Sequence, residues 1–208
     1  MWEAADERLR ERRDVLMSPR KQYAVGIARR QQILDTAREL FGLQGYRGAS
    51  MRDIATKVGL TLPGVLHYFP SKEALLEAVL QHRDETDTPW FEQTWAATGS
   101  FRAALHDLVR RNMAAPGMTR LFATLSAEAT DPDHPAHEFF RARYRESREL
   151  FTRTLALAQA RGEIAPMASG PLLIAVLDGL QVQWLLDPEF DMLGELDRYL
   201  DTIGAADA

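Results

Sequence analysis

The side chains best suited to chemistry in this sequence stand around Ser71 and Lys72, and the chemistry is anion binding. Ser71 can cap a helix with its hydroxyl oxygen, and Lys72 then falls in the first helical turn. The N–H groups of a first turn have no partner within the helix, so a lysine beside them completes a phosphate site. Such contacts position a protein on DNA, whereas contacts to base edges specify the sequence. A merely solvated lysine is the alternative.

The histidines offer a weaker case for chemistry. His134 and His137 are three residues apart across a predicted helix start, with Glu138 adjacent, but they lack the i, i+4 spacing of a zinc-binding His-Glu-x-x-His motif. A surface or capping role fits them better. The sequence contains no glycine-rich phosphate loop, no serine nucleophile elbow and no paired catalytic carboxylates. We therefore predict that the protein is not an enzyme and that it has no catalytic residues, metal site or cofactor.

Two short helices joined by a glycine turn precede this basic helix start. Ser50 and Asp53 have the spacing of a capping box. Apolar residues then recur at helical spacing: Met51, Ile54, Ala55 and Val58. Gly59 can adopt the positive φ that ends a helix, and Thr61 can cap a second helix in which Pro63, near the start, costs no hydrogen bond. This is a helix-turn-helix, whose second helix can enter a DNA major groove, or else an ordinary helical hairpin.

Charge is divided unevenly along the chain. The 208 residues carry a net charge of −5, yet residues 17–72 hold nine Lys and Arg against three Asp and Glu, a net +6 that leaves −11 elsewhere. A basic segment on an acidic body is the footprint of a local phosphate-binding face, although chance clustering of surface charge would look the same.

Other features of composition bear on the compartment. Cysteine is absent, no apolar run reaches the roughly 20 residues that a membrane helix needs, and the N-terminus lacks the apolar core of a signal peptide. We expect a cytoplasmic protein with no membrane partner.

Helical periodicity and breaks divide the chain into three parts. Residues 1–22 form a charged arm, which is either a solvated tail or a segment that reaches DNA, and Met17 is an alternative start. Residues 23–85, the head, form the helix-turn-helix DNA-binding domain and include a linking helix over 71–85. Residues 86–208, the body, contain the remaining helices.

The predicted fold is all-α. A strong helix over 24–44 ends at Gly45, the segment 86–99 indicates a break because it contains Thr88-Pro89 and Gly99-Ser100, and about six helices follow. No alternating strand pattern appears. The prediction is an N-terminal three-helix head and a C-terminal helical bundle.

Short motifs in the head occur in the order typical of one family. They are Ile33-Leu34-Asp35-Thr36-Ala37, Leu40-Phe41, Gly45-Tyr46, Met51-Arg52-Asp53-Ile54-Ala55, Val58-Gly59 and His67-Tyr68-Phe69-Pro70-Ser71-Lys72. With these motifs the chain resembles the TetR family of bacterial transcription regulators over residues 30–79. Beyond residue 86 the similarity rests on helix number and on residues 178–188.

The resemblance implies a homodimeric repressor that binds a palindromic operator in double-stranded DNA and is released by an unknown small-molecule effector. Residues 61–68 become the recognition helix. The expected DNA-binding residues are Arg30, Ser50, Thr61, Leu62, Gly64, Val65, His67, Tyr68 and Lys72. Leu62 and Val65 suit apolar contact with thymine methyl groups. The chain departs from the family at Leu66, where a phosphate-contacting tyrosine is common.

The resemblance also implies that the body, residues 86–208, is a ligand-binding and dimerisation domain. Apolar faces of the last two helices form the dimer interface in the family, or alternatively fill the core of one chain; the residues are Leu173, Val176, Leu177, Leu180, Trp184, Leu196 and Leu200. Side chains that could line an effector pocket, or again belong to the core, are Trp95, Phe122, Phe139, Tyr144 and Gln181. The functional alternatives are an activator, a regulator that answers to a partner protein, and a helical scaffold that does not bind DNA.

Overall fold

The computed structural model describes residues 19–166 and 168–205, which form nine helices and no strand. The helices are α1 Pro19–Gly48, α2 Met51–Val58, α3 Leu62–Tyr68, α4 Lys72–Thr98, α5 Phe101–Ala114, α6 Pro116–Glu128, α7 His137–Ala160, α8 Gly170–Leu186 and α9 Met192–Thr202. The all-α prediction is confirmed. Most of the predicted arm, including Met17, lies outside the described residues. Within the described part, no helix is long and apolar enough to cross a membrane.

The first helix is interrupted near its end, where the sequence predicts a stop. Gly45 has a φ of 74° and a ψ of 168°, which are not helical values. Only a glycine adopts such backbone angles readily. The chain therefore turns at Gly45 before Ser50 caps α2.

The predicted break at residues 86–99 is wrong, and so is the end of the linking helix at residue 85. Helix α4 runs through Pro89 and ends only before Gly99, whose φ is 68°. A proline removes one helical hydrogen bond. Phe91 and Trp95, two and six residues further on, are 2 % and 8 % exposed, so their burial in the body outweighs this local cost.

Two hydrophobic cores meet along α4. The first core joins α1–α3 and the start of α4 to α6 and includes Ile33, Phe41, Ile54, Val65, Leu76, Leu80, Leu121, Phe122 and Leu125. The second core joins the end of α4 to the other body helices and includes Phe91, Trp95, Leu105, Phe151, Leu155, Leu173, Leu177, Leu196 and Leu200. Because α6 contributes to the first core, the head packs directly on a body helix.

Helices α1 and α6 approach each other closely at two glycines. A Cβ atom placed on Gly117 would lie 2.9 Å from the carbonyl oxygen of Gly42, which is shorter than van der Waals contact. Nearby, Arg47 and Glu128 form an ion pair of 3.4 Å across the same helices. The head is therefore in backbone contact with the body at this point.

Most of the predicted dimer interface is core instead. Leu173, Leu196 and Leu200 are fully buried within one chain. Leu177, Leu180 and Trp184 are also buried, and Val176 is half-buried. The expectation that Leu173, Leu196 and Leu200 contact a second copy is wrong, because an apolar stripe on a helix looks the same whether it faces its own chain or a partner. Contact of the other predicted residues with a second copy stays a prediction. The apolar residues that α8 exposes are Leu172, Val182 and Leu186, at 53 %, 45 % and 82 %.

Candidate nucleic-acid interface

The turn between α2 and α3 forms as its residues predict. The N–H of Asp53 donates to Ser50 Oγ at 3.1 Å, and the Ser50 hydroxyl donates to Asp53 Oδ2 at 2.6 Å, which caps α2. Gly59 has a φ of 70°, and the N–H of Leu60 reaches back to the carbonyl of Ala55 at 2.9 Å. This bonding satisfies the last carbonyls of α2 and directs the chain into α3.

Helix α3 is held against the head by one face and exposes the other. The N–H of Gly64 donates to Thr61 Oγ1 at 3.2 Å, which caps the helix start. Val65 and Phe69 are 0 % and 3 % exposed and anchor the helix to the first core. Thr61 and His67 are exposed on the other side.

The predicted DNA-binding residues fall into three groups. Thr61, His67 and Arg30 are exposed, whereas Ser50, Leu62, Gly64, Tyr68 and Lys72 are half-buried. Val65 is fully buried, so the expectation that its side chain contacts a base is wrong. Leu66 takes the outward position instead, at 38 % exposed. The cause is the pitch of α3, which points residue 65 into the core and residue 66 away from it.

Lys72 is supported by an aromatic ring. Its ammonium nitrogen lies 4.4 Å from the ring centroid of Tyr46, and Ser71 caps α4 by accepting from the N–H of Ala74 at 3.1 Å. The Tyr46 hydroxyl donates to Glu73 at 3.1 Å. Burial and the Glu73 carboxylate raise the pKa of Tyr46 to about 12, so the phenol stays protonated as a donor. Burial lowers the pKa of Lys72, which Glu73 opposes.

Arg30 is held in the same way. Its guanidinium carbon lies 4.9 Å from the ring centroid of Phe69, just after α3. A cation over an aromatic face is oriented without its charge being neutralised. Arg30 and Lys72 therefore keep their positive charge available to a phosphate.

Sequence reasoning missed Arg52 and the role of Tyr46. Arg52 is exposed in the first turn of α2, and no carboxylate among the described residues pairs with it. Its position beside the cap at Ser50 could have been noticed, because cations close to helix starts suit phosphates. The Tyr46 ring could not, because 25 residues separate it from Lys72 in the chain. Lys57 differs, since Glu39 binds its ammonium group at 2.6 Å.

A cavity in the body, the interior cavity, contains three of the five predicted pocket residues. Phe122, Tyr144 and Gln181 line it, and its volume is about 80 Å³. Trp95 lies elsewhere, where its indole N–H donates to Glu163 at 3.3 Å. Phe139 packs edge-on against the rings of Phe122 and a neighbouring phenylalanine but does not line the cavity. Trp95 packs in the second core and Phe139 against the first, and contact between an effector and any of the five residues stays a prediction.

The walls of the interior cavity are polar. The Tyr144 hydroxyl donates to Asp178 Oδ2 at 2.7 Å, and burial raises the pKa of both groups. The Phe122 ring lies between two guanidinium groups, with centroid distances of 4.1 Å to Arg83 and 5.1 Å to Arg143. A ligand bound here would form hydrogen bonds with charged groups and would also contact the Phe122 ring.

The two histidines of the weak metal pair bind backbone groups. His134 Nδ1 accepts from the N–H of Ala136 at 3.2 Å, and His137 Nδ1 donates to the carbonyl of Ala129 at 2.8 Å. Both side chains thereby order the loop between α6 and α7.

Comparison with known proteins decides the family. The model described as "Bacterial regulatory proteins, tetR family" matches residues 33–79, which contain α2 and α3. The model described as "Tetracyclin repressor-like, C-terminal domain" matches residues 95–202, which is more than half of the chain. The chain belongs to the TetR family. As a TetR-family member it is a DNA-binding transcriptional regulator, as the head motifs predict.

Individual relatives align with this chain over most of their length. The HTH-type transcriptional regulator in the dhlA 5′ region of Xanthobacter autotrophicus is 30 % identical over 169 residues, which are 78 % of this chain and 82 % of that protein. The transcriptional repressor KstR2 of Rhodococcus jostii is 28 % identical over 153 residues, or 73 % and 67 %. A TetR transcriptional regulator from Chloroflexus aurantiacus superposes with a TM-score of 0.71 at 25 % identity and covers 86 % of this chain and 95 % of its own.

Proposed function

We propose that this TetR-family regulator is a repressor that binds a palindromic operator as a homodimer and leaves it when a small-molecule effector enters the body. The observation that carries the proposal is the position of Phe122, which belongs to the first core and also lines the interior cavity. The same side chain thus belongs to the first core, which supports α3, and to the wall of the cavity that a ligand would fill. KstR2, one of the relatives, is itself described as a repressor.

Operator binding divides between two sets of side chains in this proposal. Thr61, Leu62 and His67 face base edges from α3, with Tyr68 beside them and Gly64 allowing close approach of the backbone. Arg30, Ser50, Arg52 and Lys72 bind phosphates on either side. Both sets suit double-stranded DNA, because a single helix such as α3 fits the major groove and the cations beside it can reach backbone phosphates.

The effector acts through the volume of the interior cavity. About 80 Å³ holds only a few non-hydrogen atoms, whereas pockets for organic ligands usually measure roughly 300–1,000 Å³. An effector of ordinary size therefore binds a state in which α4, α6, α7 and α8 lie further apart. A ligand that prefers the widened state shifts the population toward it, and Phe122 carries that change into the first core.

The dimer uses the exposed face of α8. Leu172, Val182 and Leu186 stand on the surface of that helix, and burying them against a second copy removes apolar area from water. A two-fold interface presents two α3 helices in opposite directions, as a palindrome requires. The functional division is residues 23–85 for DNA and 86–208 for effector and dimer, and the protein works in the cytoplasm.

Selection of random duplexes by the full-length protein, followed by sequencing of the bound pool, tests this function. We expect a palindrome whose half-sites lie about one helical turn apart, and weaker binding as salt rises. The Leu186→Asp variant, which places a charge on the α8 face, should be monomeric and enrich no palindrome. An asymmetric motif, or no enrichment at low salt by a preparation shown to contain no bound small molecule, would refute the proposal.

A further inference from the structure

A second cavity, the junction cavity, lies where α1, α4, α5 and α6 meet. Its volume is about 290 Å³, more than three times that of the interior cavity. Arg38 of α1, His82 and Arg83 of α4, and Arg111 and Asn112 at the end of α5 line it. It opens to solvent and is lined by the head on one side and by the body on the other, and none of the predicted pocket residues contributes to it.

The charges of the junction cavity do not balance. Asp87 is the one carboxylate among the described residues that line it, against three guanidinium groups. That carboxylate is shared, because Oδ2 accepts from Arg83 Nε at 3.1 Å and Oδ1 accepts from Arg111 Nη2 at 3.0 Å. Arg38 has its own partner, Asp35, at 3.6 Å on the surface. One negative charge therefore serves two guanidinium groups inside the cavity.

Several donors around the cavity lack acceptors. Arg111 Nε is buried and has no hydrogen-bond partner among the described residues. Asn112 accepts from Arg83 Nη2 at 2.8 Å through its carbonyl oxygen, which leaves its amide N–H groups without a protein acceptor in the described part of the chain. The start of α6 at Ala115, also on the cavity wall, has no side-chain cap. Each of these groups can donate a hydrogen bond to an acceptor on a ligand.

The chemistry of the missing acceptor follows from these groups. Guanidinium groups pair most strongly with carboxylate and phosphate oxygens, often through two parallel hydrogen bonds. Arg83 is only 14 % exposed, and burial lowers its pKa, with Asp87 opposing the effect. The methyl groups of Ala114, Ala115 and Met118 give the rest of the wall an apolar character. The volume lies near the lower limit for organic ligands, which favours a short chain.

We propose that the junction cavity binds a small organic anion, with a carboxylate or phosphate group held by Arg83 and Arg111 and a short apolar chain against α6. The anion supplies the second negative charge that the two guanidinium groups lack. Arg83 and Asn112 also line the interior cavity, so the two sites adjoin, but anion binding at the junction does not depend on the effector proposed above. Because its walls come from both α1 and α5, an anion bound there joins the head to the body.

Calorimetric titration of the full-length protein at constant ionic strength, without DNA, tests the site. The probes are hexanoate, hexyl phosphate and the neutral hexanamide. We expect saturable binding of at least one anion and none of the amide, and the better anion identifies the acid group. Arg111→Gln should weaken binding by at least about tenfold, since a charge-assisted hydrogen bond is lost. Arg110→Gln, on an exposed neighbouring residue, should bind like the wild type.

A second variant guards against a folding defect in Arg111→Gln. Asn112→Asp places a carboxylate beside Arg83 and should keep its helical circular dichroism while no longer binding the anion. Gln181→Ala, which alters only the interior cavity, should leave the affinity unchanged. Equal binding of hexanamide and hexanoate, undiminished binding by Arg111→Gln and Asn112→Asp, or no saturable binding of either anion would overturn the proposal. Because no DNA is present, failure of operator binding has no influence on this result.

Discussion

Two cations of the head and one cation of the body are supported in opposite ways. In the head, Arg30 lies over the ring of Phe69 and Lys72 over the ring of Tyr46. In the body, Arg102 binds the carboxylates of two aspartates. A ring orients a cation and leaves its charge intact, whereas a carboxylate cancels it. Arg30 and Lys72 thus keep their positive charge for DNA although the whole chain is acidic, whereas the charge of Arg102 is used to hold α5 to α9.

The largest effect should come from the body. Arg102 is 10 % exposed and donates to Asp197 at 2.7 Å, to Asp201 at 2.5 Å and to the carbonyl of Ala205 at 2.8 Å. Arg102→Ala should lower the free energy of unfolding by about 2–4 kcal/mol, because the network that joins α5 to α9 is broken. Urea denaturation measures the loss.

Arg198→Ala is the matched control for Arg102. Arg198 is 73 % exposed and, among the described residues, pairs only with Glu195 one turn away, so its loss should cost less than about 1 kcal/mol. Equal losses of unfolding free energy in the two variants would contradict the expected difference between a buried and an exposed cation of the body.

The next effect concerns two lysines of the head that differ in their support. Lys72→Ala should weaken DNA binding by about 10- to 100-fold, whatever the sequence, because a charged contact to a phosphate is lost. The slope of log affinity against log salt should fall by about one unit. Lys57→Ala should change little, since Glu39 already neutralises that lysine at 2.6 Å. Fluorescence anisotropy on the selected operator measures both, and a stronger effect at Lys57 would contradict the comparison.

A smaller effect tests the ring itself. Tyr46→Leu keeps an apolar side chain but removes the π face below Lys72 and the hydrogen bond to Glu73, and should reduce DNA affinity by roughly two- to fivefold. Tyr46→Phe keeps the ring and should retain most of the affinity. If the Phe variant binds DNA as weakly as the Leu variant, the hydroxyl and not the ring supports Lys72.

The smallest effect is a pH dependence in the body. Burial opposes ionisation of Asp197, but hydrogen bonds from Arg102 and His106 outweigh it and lower the pKa of this carboxyl. Its stabilising contribution is therefore complete above the unfolded value, about 3.9, and is lost as pH falls through the lower folded value. Asp197→Asn should remove about 0.2–1 kcal/mol at neutral pH, and the deficit relative to wild type should shrink as the pH of urea denaturation is lowered from 6 to about 3. A constant deficit would contradict the assignment.

The sequence predicted correctly those features whose interacting residues lie close together in the chain. The caps at Ser50 and Thr61 and the turn at Gly59 involve partners within five residues, so residue type and spacing suffice to predict them. The helical head, the family and the general function followed from these signals.

Features that depend on packing between residues distant in sequence were not predicted correctly. Pro89 indicated a break, but the buried side chains of Phe91 and Trp95 keep α4 intact. Val65 and Leu173 belong to apolar helix faces whose neighbours are distant in sequence, and such faces do not reveal whether core, DNA or a second copy covers them. The residue-level DNA contacts other than Val65 stay predictions that the variants above test.

The contact between Gly42 and Gly117 has a mechanical consequence. Side chains between two helices can change rotamer and so absorb part of a movement, but here backbone meets backbone. Helix α6 also carries Phe122, Ala123 and Ser126 on the wall of the interior cavity. In the proposed mechanism, a displacement of α6 by a ligand is therefore passed to α1 at this point by main-chain contact, and a side chain at residue 42 or 117 would push the two helices apart.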